Sequence, residues 1–113
     1  MAYVLDYLEL PSADATKSRT FFGKAFGWGF ADYGGTYAEI RDAGLLFGVN
    51  ADTKDRSTAP IAVIRADDLG KAERDVVAAG GVITRPPYAF PGGRRFFFRE
   101  PGGAELAVYV TND

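Results

Sequence analysis

Three residues near the C-terminus carry the chemistry that stands out first. In the segment GGRRFFFREPGGAELAVYV, residues 92–110, the Glu100-Pro101-Gly102-Gly103 turn separates two strand-like runs and predicts a β-hairpin. Strand alternation sends Leu106, Val108 and Val110 to one face and Glu105, Ala107 and Tyr109 to the other. The aliphatic face asks for a core. A carboxylate, a methyl and a phenol on the opposite face suit the lining of a site. Near the N-terminus, residues 3–10 repeat the pattern, with Leu5, Tyr7 and Glu9 on one face and Val4, Leu8 and Leu10 on the other, interrupted by Asp6. Glu9 and Glu105 are therefore the two candidate catalytic carboxylates. Each can serve as a general base against apolar and phenolic walls, or recognise a cationic drug or amine without reacting. The plainer roles are a hydrogen bond to backbone or a salt bridge to Arg65, Arg95 or Arg99.

Composition narrows the chemistry. The 113 residues contain no Cys and no His, which removes thiolate nucleophiles, disulfides, the commonest metal ligand and the commonest neutral-pH base. Thirteen basic against fifteen acidic residues leave a formal charge of -2, with no pull toward nucleic acid or an anionic membrane. The Arg/Phe-rich run 94–99 invites comparison with single-stranded RNA binding on a sheet, but that fold runs βαββαβ and presents a basic surface. The apolar runs are too short to span a bilayer, and no basic-then-apolar leader opens the chain. A cytoplasmic domain is expected. Gly27-Trp28-Gly29 follows a helix instead of opening one, and Gly92-Gly93-Arg94 lacks the Lys-Ser/Thr of a phosphate loop, so neither is a nucleotide fingerprint.

The elements that hold these residues read in order. Asp14 caps a helix to about Phe26, with Phe21, Phe22 and Phe26 expected in the core and Gly27 as its stop. Trp28 is read as a core residue, and short strands are expected at 28–33, 36–41 and 45–49. Residues 51–59 form a polar linker. From 60 the order restarts: strand 61–66, a helix capped by Asp68 with Leu69, Ala72, Val76 and Ala79 at helical spacing, the Gly80-Gly81 stop, a strand bent by Pro86-Pro87, then the hairpin. Asp14, Lys17 and Gly27 align with Asp68, Lys71 and Gly81 at one offset. Gly44 aligns with Gly103 at a longer one, so the second half carries about five extra residues around 88–93. The chain reads as a single domain, 1–113, of two βαβββ modules, 1–50 and 60–113.

Those landmarks, "PSAD" at 11–14, "FFGKAFGW" at 21–28, "RADDLGKA" at 65–72, "AAGG" at 78–81 and "FPGGRRFFFREPGGAELAVY" at 90–109, resemble the vicinal oxygen chelate superfamily of glyoxalases, bleomycin-resistance proteins and extradiol dioxygenases. The resemblance implies an α+β fold in which tandem βαβββ modules form a half-open, eight-stranded barrel-like sheet with two helices outside, enclosing a concave ligand cleft. It also implies a homodimer. Metal-dependent relatives place ligands on the first and last strand of each module. The matching positions here are Tyr7, Gly48, Ile61 and Ala107, a set without a good ligand for a catalytic divalent ion. A metal-free site without cofactor is therefore expected. Its cleft face is lined by the ligand-binding candidates Tyr7, Gly48, Ile61, Val63, Ala107 and Tyr109, and it takes a small apolar or aromatic molecule for sequestration or weak acid/base chemistry. The alternative is a metal-dependent lyase, isomerase or dioxygenase of the same superfamily.

Overall fold

The computed structural model describes residues 3–112. Its elements alternate as two βαβββ modules: β1 (Tyr3–Pro11), α1 (Ala15–Phe26), β2 (Gly29–Tyr33), β3 (Tyr37–Arg41) and β4 (Leu46–Asn50), then β5 (Ile61–Ala66), α2 (Leu69–Ala78), β6 (Val82–Phe90), β7 (Gly93–Arg99) and β8 (Glu105–Thr111). The class is α+β with mixed pairing. β1 runs parallel to β4 and β5 parallel to β8, while the hairpins β2–β3–β4 and β6–β7–β8 are antiparallel. Neither run of strands closes on itself, and β2 and β6 are edge strands. The chain divides into two compact units, one of Tyr7–Ile61 and the other of residues 62–112 with residues 3–6. Among the described residues no helix is long and apolar enough to cross a membrane.

Both helices start by the same device. The Asp14 side chain accepts from the Lys17 N–H at 3.1 Å, and Asp68 accepts from Lys71 at 3.0 Å, each satisfying a donor that the first turn leaves unpaired. Gly27 closes α1 at φ 76°, the left-handed conformation that a Cβ disfavours, and its N–H returns to the Gly23 carbonyl. α2 ends one residue earlier than its apolar spacing suggests, with Ala79 as an exposed cap.

Two apolar cores follow from period-two alternation. In the first unit Ile40, Phe47 and Val49 gather Leu8, Leu10, Phe22 and Trp28. Phe22 is the phenylalanine that α1 turns to the sheet. Phe21 and Phe26 are 58% and 59% exposed, which corrects the expectation of a fully buried trio. Phe21 lies one residue, and so about 100° of helix rotation, away from the buried stripe. Phe26 lies at the helix end, stacked on Phe22 and tilted against Trp28. In the second unit Phe96, Phe98 and Val108 pack with Leu69 and Ala72 of α2, while Phe97 turns to the opposite sheet face. Pro86 and Pro87 fall where the β6–β7 register shifts, on an edge strand that tolerates missing N–H donors.

Candidate functional site

The face of the first module opposite its core is polar and organised. Glu9 and Gly48 are Cα partners across β1–β4, and Gly48 faces Glu39 across β3–β4. Glu9 is 2% exposed. Burying a carboxylate demands donors, and the fold supplies them: Tyr37 Oη donates to Oε1 at 3.2 Å, and Asn50 Nδ2 lies 3.4 Å from Oε2. The Tyr7 and Tyr37 hydroxyls are hydrogen-bonded to each other directly above Gly48, where a Cβ would overlap both phenol oxygens. Glycine is therefore required there by space. Burial pushes the Tyr37 phenol far above its ordinary range, reinforced by Tyr7 and Glu9, so it persists as a protonated donor. Asn50 extends the chain outward, donating to Asp55 Oδ2 at 2.8 Å and accepting from the Asp52 N–H. Arg56 donates to the Ser12 carbonyl, which ties the 51–59 segment to the end of β1 as well as to β4.

The second module's equivalent face has a different character. Val63 and Ala107 are buried Cα partners, and Ala107 faces Phe97. Glu105 is half-buried, accepts from the Thr84 hydroxyl and pairs in register with Arg99. Tyr109 donates to Asp6, which also meets Arg65 at 3.5 Å. Burial, then the Asp6 hydrogen bond and charge, push the Tyr109 phenol up to about 12. Ile61 is buried at the start of β5. Two hollows lie away from both faces. One of about 300 Å³ is apolar and sits beside α2 among Ile64, Val76, Phe98 and Val108. The other, about 420 Å³, borders Ser12, Thr53 and Arg56.

The positions that the family resemblance marks for a metal do not suit one. Of Tyr7, Gly48, Ile61 and Ala107, Tyr7 alone offers a side-chain donor, and its phenol is engaged with Tyr37. Among the described residues no three His, Cys, Asp or Glu side chains gather as a ligand set. A phenol already hydrogen-bonded to another phenol, beside glycine and aliphatic groups, does not make a site for a divalent ion.

Tyr7, Glu9 and Gly48 thus share one face, and Val63, Glu105, Ala107 and Tyr109 share another. The sequence reading names none of Tyr37, Asn50, Asp55 and Thr84 as site residues, and gives Asp6 only as an interruption of the aliphatic face of β1. A signal existed for two of them. Tyr37-x-Glu39-x-Arg41 alternates as a mixed face, and Asn50 continues the 46–48–50 row of β4. The same alternation groups Asp6 with Val4 and Leu8, whereas in the folded strand its carboxylate meets Tyr109 and Arg65.

Tandem βαβββ modules, each with its helix on one side of its strands and polar groups on the other, define the α+β class to which this chain belongs. A family model described as the glyoxalase/bleomycin resistance protein/dioxygenase superfamily matches residues 4–108, so the chain belongs to that superfamily. No curated protein sequence matches it. Solved structures with the same fold include one described as an NAD-dependent benzaldehyde dehydrogenase from Legionella pneumophila (TM-score 0.81, 15% identity, covering 95% of this chain and 99% of that one). Methylmalonyl-CoA epimerase from Mycobacterium tuberculosis is similar at TM-score 0.68 and 14% identity, over 96% and 88% of the two chains. The Mn(II)-bound glyoxalase from Novosphingobium aromaticivorans is similar at TM-score 0.65 and 19% identity, over 97% of this chain and 40% of that one. At these identities the likeness is one of fold.

Proposed function

We propose that this chain is a metal-free member of its superfamily that binds a small, largely apolar or aromatic molecule on its polar sheet faces. The observation that carries the reading is the buried Glu9 held beneath the Tyr7–Tyr37 pair over the side-chain-free Gly48. Two phenols over a glycine give aromatic walls and hydroxyls that can turn between donor and acceptor, the pattern of a small-molecule site. Sequestration is favoured over general-base catalysis because both Glu9 oxygens already accept hydrogen bonds, from Tyr37 and Asn50. A base must trade those bonds for the substrate's proton. Glu105 is the second candidate carboxylate, held by Thr84 on the other module. We also infer a homodimer acting in the cytoplasm; sedimentation velocity and cell fractionation test the two.

The test is thermal. 2-Naphthol and 2-naphthamide are expected to raise the melting temperature saturably, since a ligand at about 100 times its Kd adds about 2.7 kcal/mol. Tyr37→Phe is expected to reduce the rise. Elemental analysis of untagged protein before and after chelator runs in parallel. Stoichiometric manganese, nickel, zinc or iron whose removal lowers the melting point overturns the metal-free reading and makes the chain a metal-dependent lyase, isomerase or dioxygenase candidate. No ligand response from any small aromatic removes the binding reading.

A further inference from the structure

The seam between α2 and its strands holds less side-chain volume than the seam between α1 and its strands. At the offset that aligns Asp14 with Asp68, Phe22 falls on Val76, Phe26 on Gly80 and Trp28 on Val82. The three rings close the first seam. Phe22 stacks on Trp28 with ring centres 5.8 Å apart, Phe26 lies 5.0 Å from Trp28, and Phe22 meets Phe47 edge-on at 5.3 Å. Two valines and a glycine do not supply that volume, and Val82 is 65% exposed. Gly81 cannot compensate, because a Cβ there would stand 2.6 Å from a Val76 methyl. The difference is the apolar hollow of about 300 Å³ beside α2, a size at which small-molecule sites begin. Its floor is buried: Phe98 from β7, Val108 from β8 and Ala72 from α2, with Ile64 of β5 in register with Val108. An apolar guest there gains the contacts that the rings make in the first module.

The rim of the hollow is charged. Asp75 accepts from the Tyr3 hydroxyl and from Lys71 Nζ at 2.8 Å, so its charge is balanced. Glu100 accepts from the Ala104 and Gly102 N–H groups at 2.7 and 2.8 Å. Those dipoles hold its carboxyl below the usual carboxylate range without cancelling its charge. The adjacent Arg99 donates to the Gly103 carbonyl at 2.8 Å. The Tyr3 ring, 5.7 Å from Lys71 Nζ, adds an aromatic face of the kind that attracts cations. We propose that this hollow is a second binding site, for an arylalkyl ammonium whose ring enters the seam between α2 and its strands and whose cation reaches Glu100. The apolar floor selects a ring-bearing body, and a charge-assisted hydrogen bond to the carboxylate selects the sign. The site lies on the helix side of the second module and does not rest on the reading of the polar sheet faces.

Calorimetric titration of the full chain with 2-naphthylmethylamine, cationic at neutral pH, and its neutral counterpart 2-naphthylmethanol tests it. The amine is expected to bind about tenfold more tightly. Glu100→Gln keeps an acceptor for the turn and is expected to erase most of that preference while leaving the affinity of the alcohol unchanged. Val76→Phe restores the ring of the first module and is expected to abolish binding of both. Tyr37→Phe, in the other module, is expected to change neither, which separates this site from the one proposed above. Equal affinity of the two probes overturns the cation site, and so does a preference untouched by Glu100→Gln. Binding that survives Val76→Phe, or that Tyr37→Phe removes, puts the probes elsewhere and overturns it as well. Binding of neither probe overturns it and leaves the small-molecule reading of the sheet faces to its own test. If Val76→Phe fails to fold, Ala79→Leu, on the exposed rim, is the blocking variant and decides.

Discussion

The two modules share one strand frame and put opposite charges at its centre. Glu39 faces Gly48 across β3–β4 as Phe97 faces Ala107 across β7–β8. One step along, Tyr37 faces Asn50 as Arg95 faces Tyr109, so Tyr37 and Arg95 hold equivalent places. On the parallel strand Glu9 pairs with Gly48 and Val63 with Ala107. The first module therefore buries a carboxylate where the second has a valine, and the second buries a guanidinium where the first has a phenol. The supporting groups differ accordingly. A carboxylate needs O–H and N–H donors at short range, which Tyr37 and Asn50 provide. A guanidinium is tolerated against ring faces and a phenol oxygen, which Phe90, Phe97 and Tyr88 provide. Two of those rings, Tyr88 and Phe90, come from the nine-residue β6, whose counterpart β2 has five residues. The lesson is that backbone pairing repeats between modules while side-chain chemistry on the frame diverges freely.

The sharpest break of this contrast is Gly48→Ala. Its methyl meets both phenol oxygens, so unfolding stability in urea is expected to fall by about 3 kcal/mol. Ala107→Gly, at the equivalent place, is expected to cost only about 1 kcal/mol, from backbone freedom and a lost methyl. Next comes Glu9→Gln. Its amide turns an N–H₂ toward donors that expect an acceptor, and a loss of about 2 kcal/mol is expected by the same measurement.

A smaller effect is alkaline. The Tyr109 phenol titrates near 10 unfolded and is pushed up to about 12 in the fold, so its contribution is fully present below pH 10 and is lost as pH rises toward about 12. Melting temperature should therefore fall more steeply across that window for the wild type than for Tyr109→Phe. Parallel slopes would mean that the Tyr109–Asp6 bond is not formed in solution. The smallest change is Thr84→Val, which removes the exposed hydroxyl on Glu105 and should move stability by less than about 0.5 kcal/mol.

Local signals in the sequence determined the elements. Asp14 and Asp68 as caps, Gly27 as a left-handed stop, Pro86-Pro87 as an edge mark and the alternation of 105–110 are short-range constraints, and each acts as its chemistry dictates. Alternation also separated Phe97 from Phe96 and Phe98, and put Tyr7 with Glu9. What alternation supplies is a face, not a partner. That Glu9 is closed by Tyr37 and Asn50, residues from β3 and the end of β4, depended on the β1–β4 register and on the space left over Gly48. That Arg95 lies among rings depended on the β6–β7 register shift that delivers Tyr88 and Phe90. Hydrogen bonds and cation–π contacts act over a few ångströms between residues distant in the chain. Their pairing was therefore decided by strand register and packing, which only the tertiary structure holds.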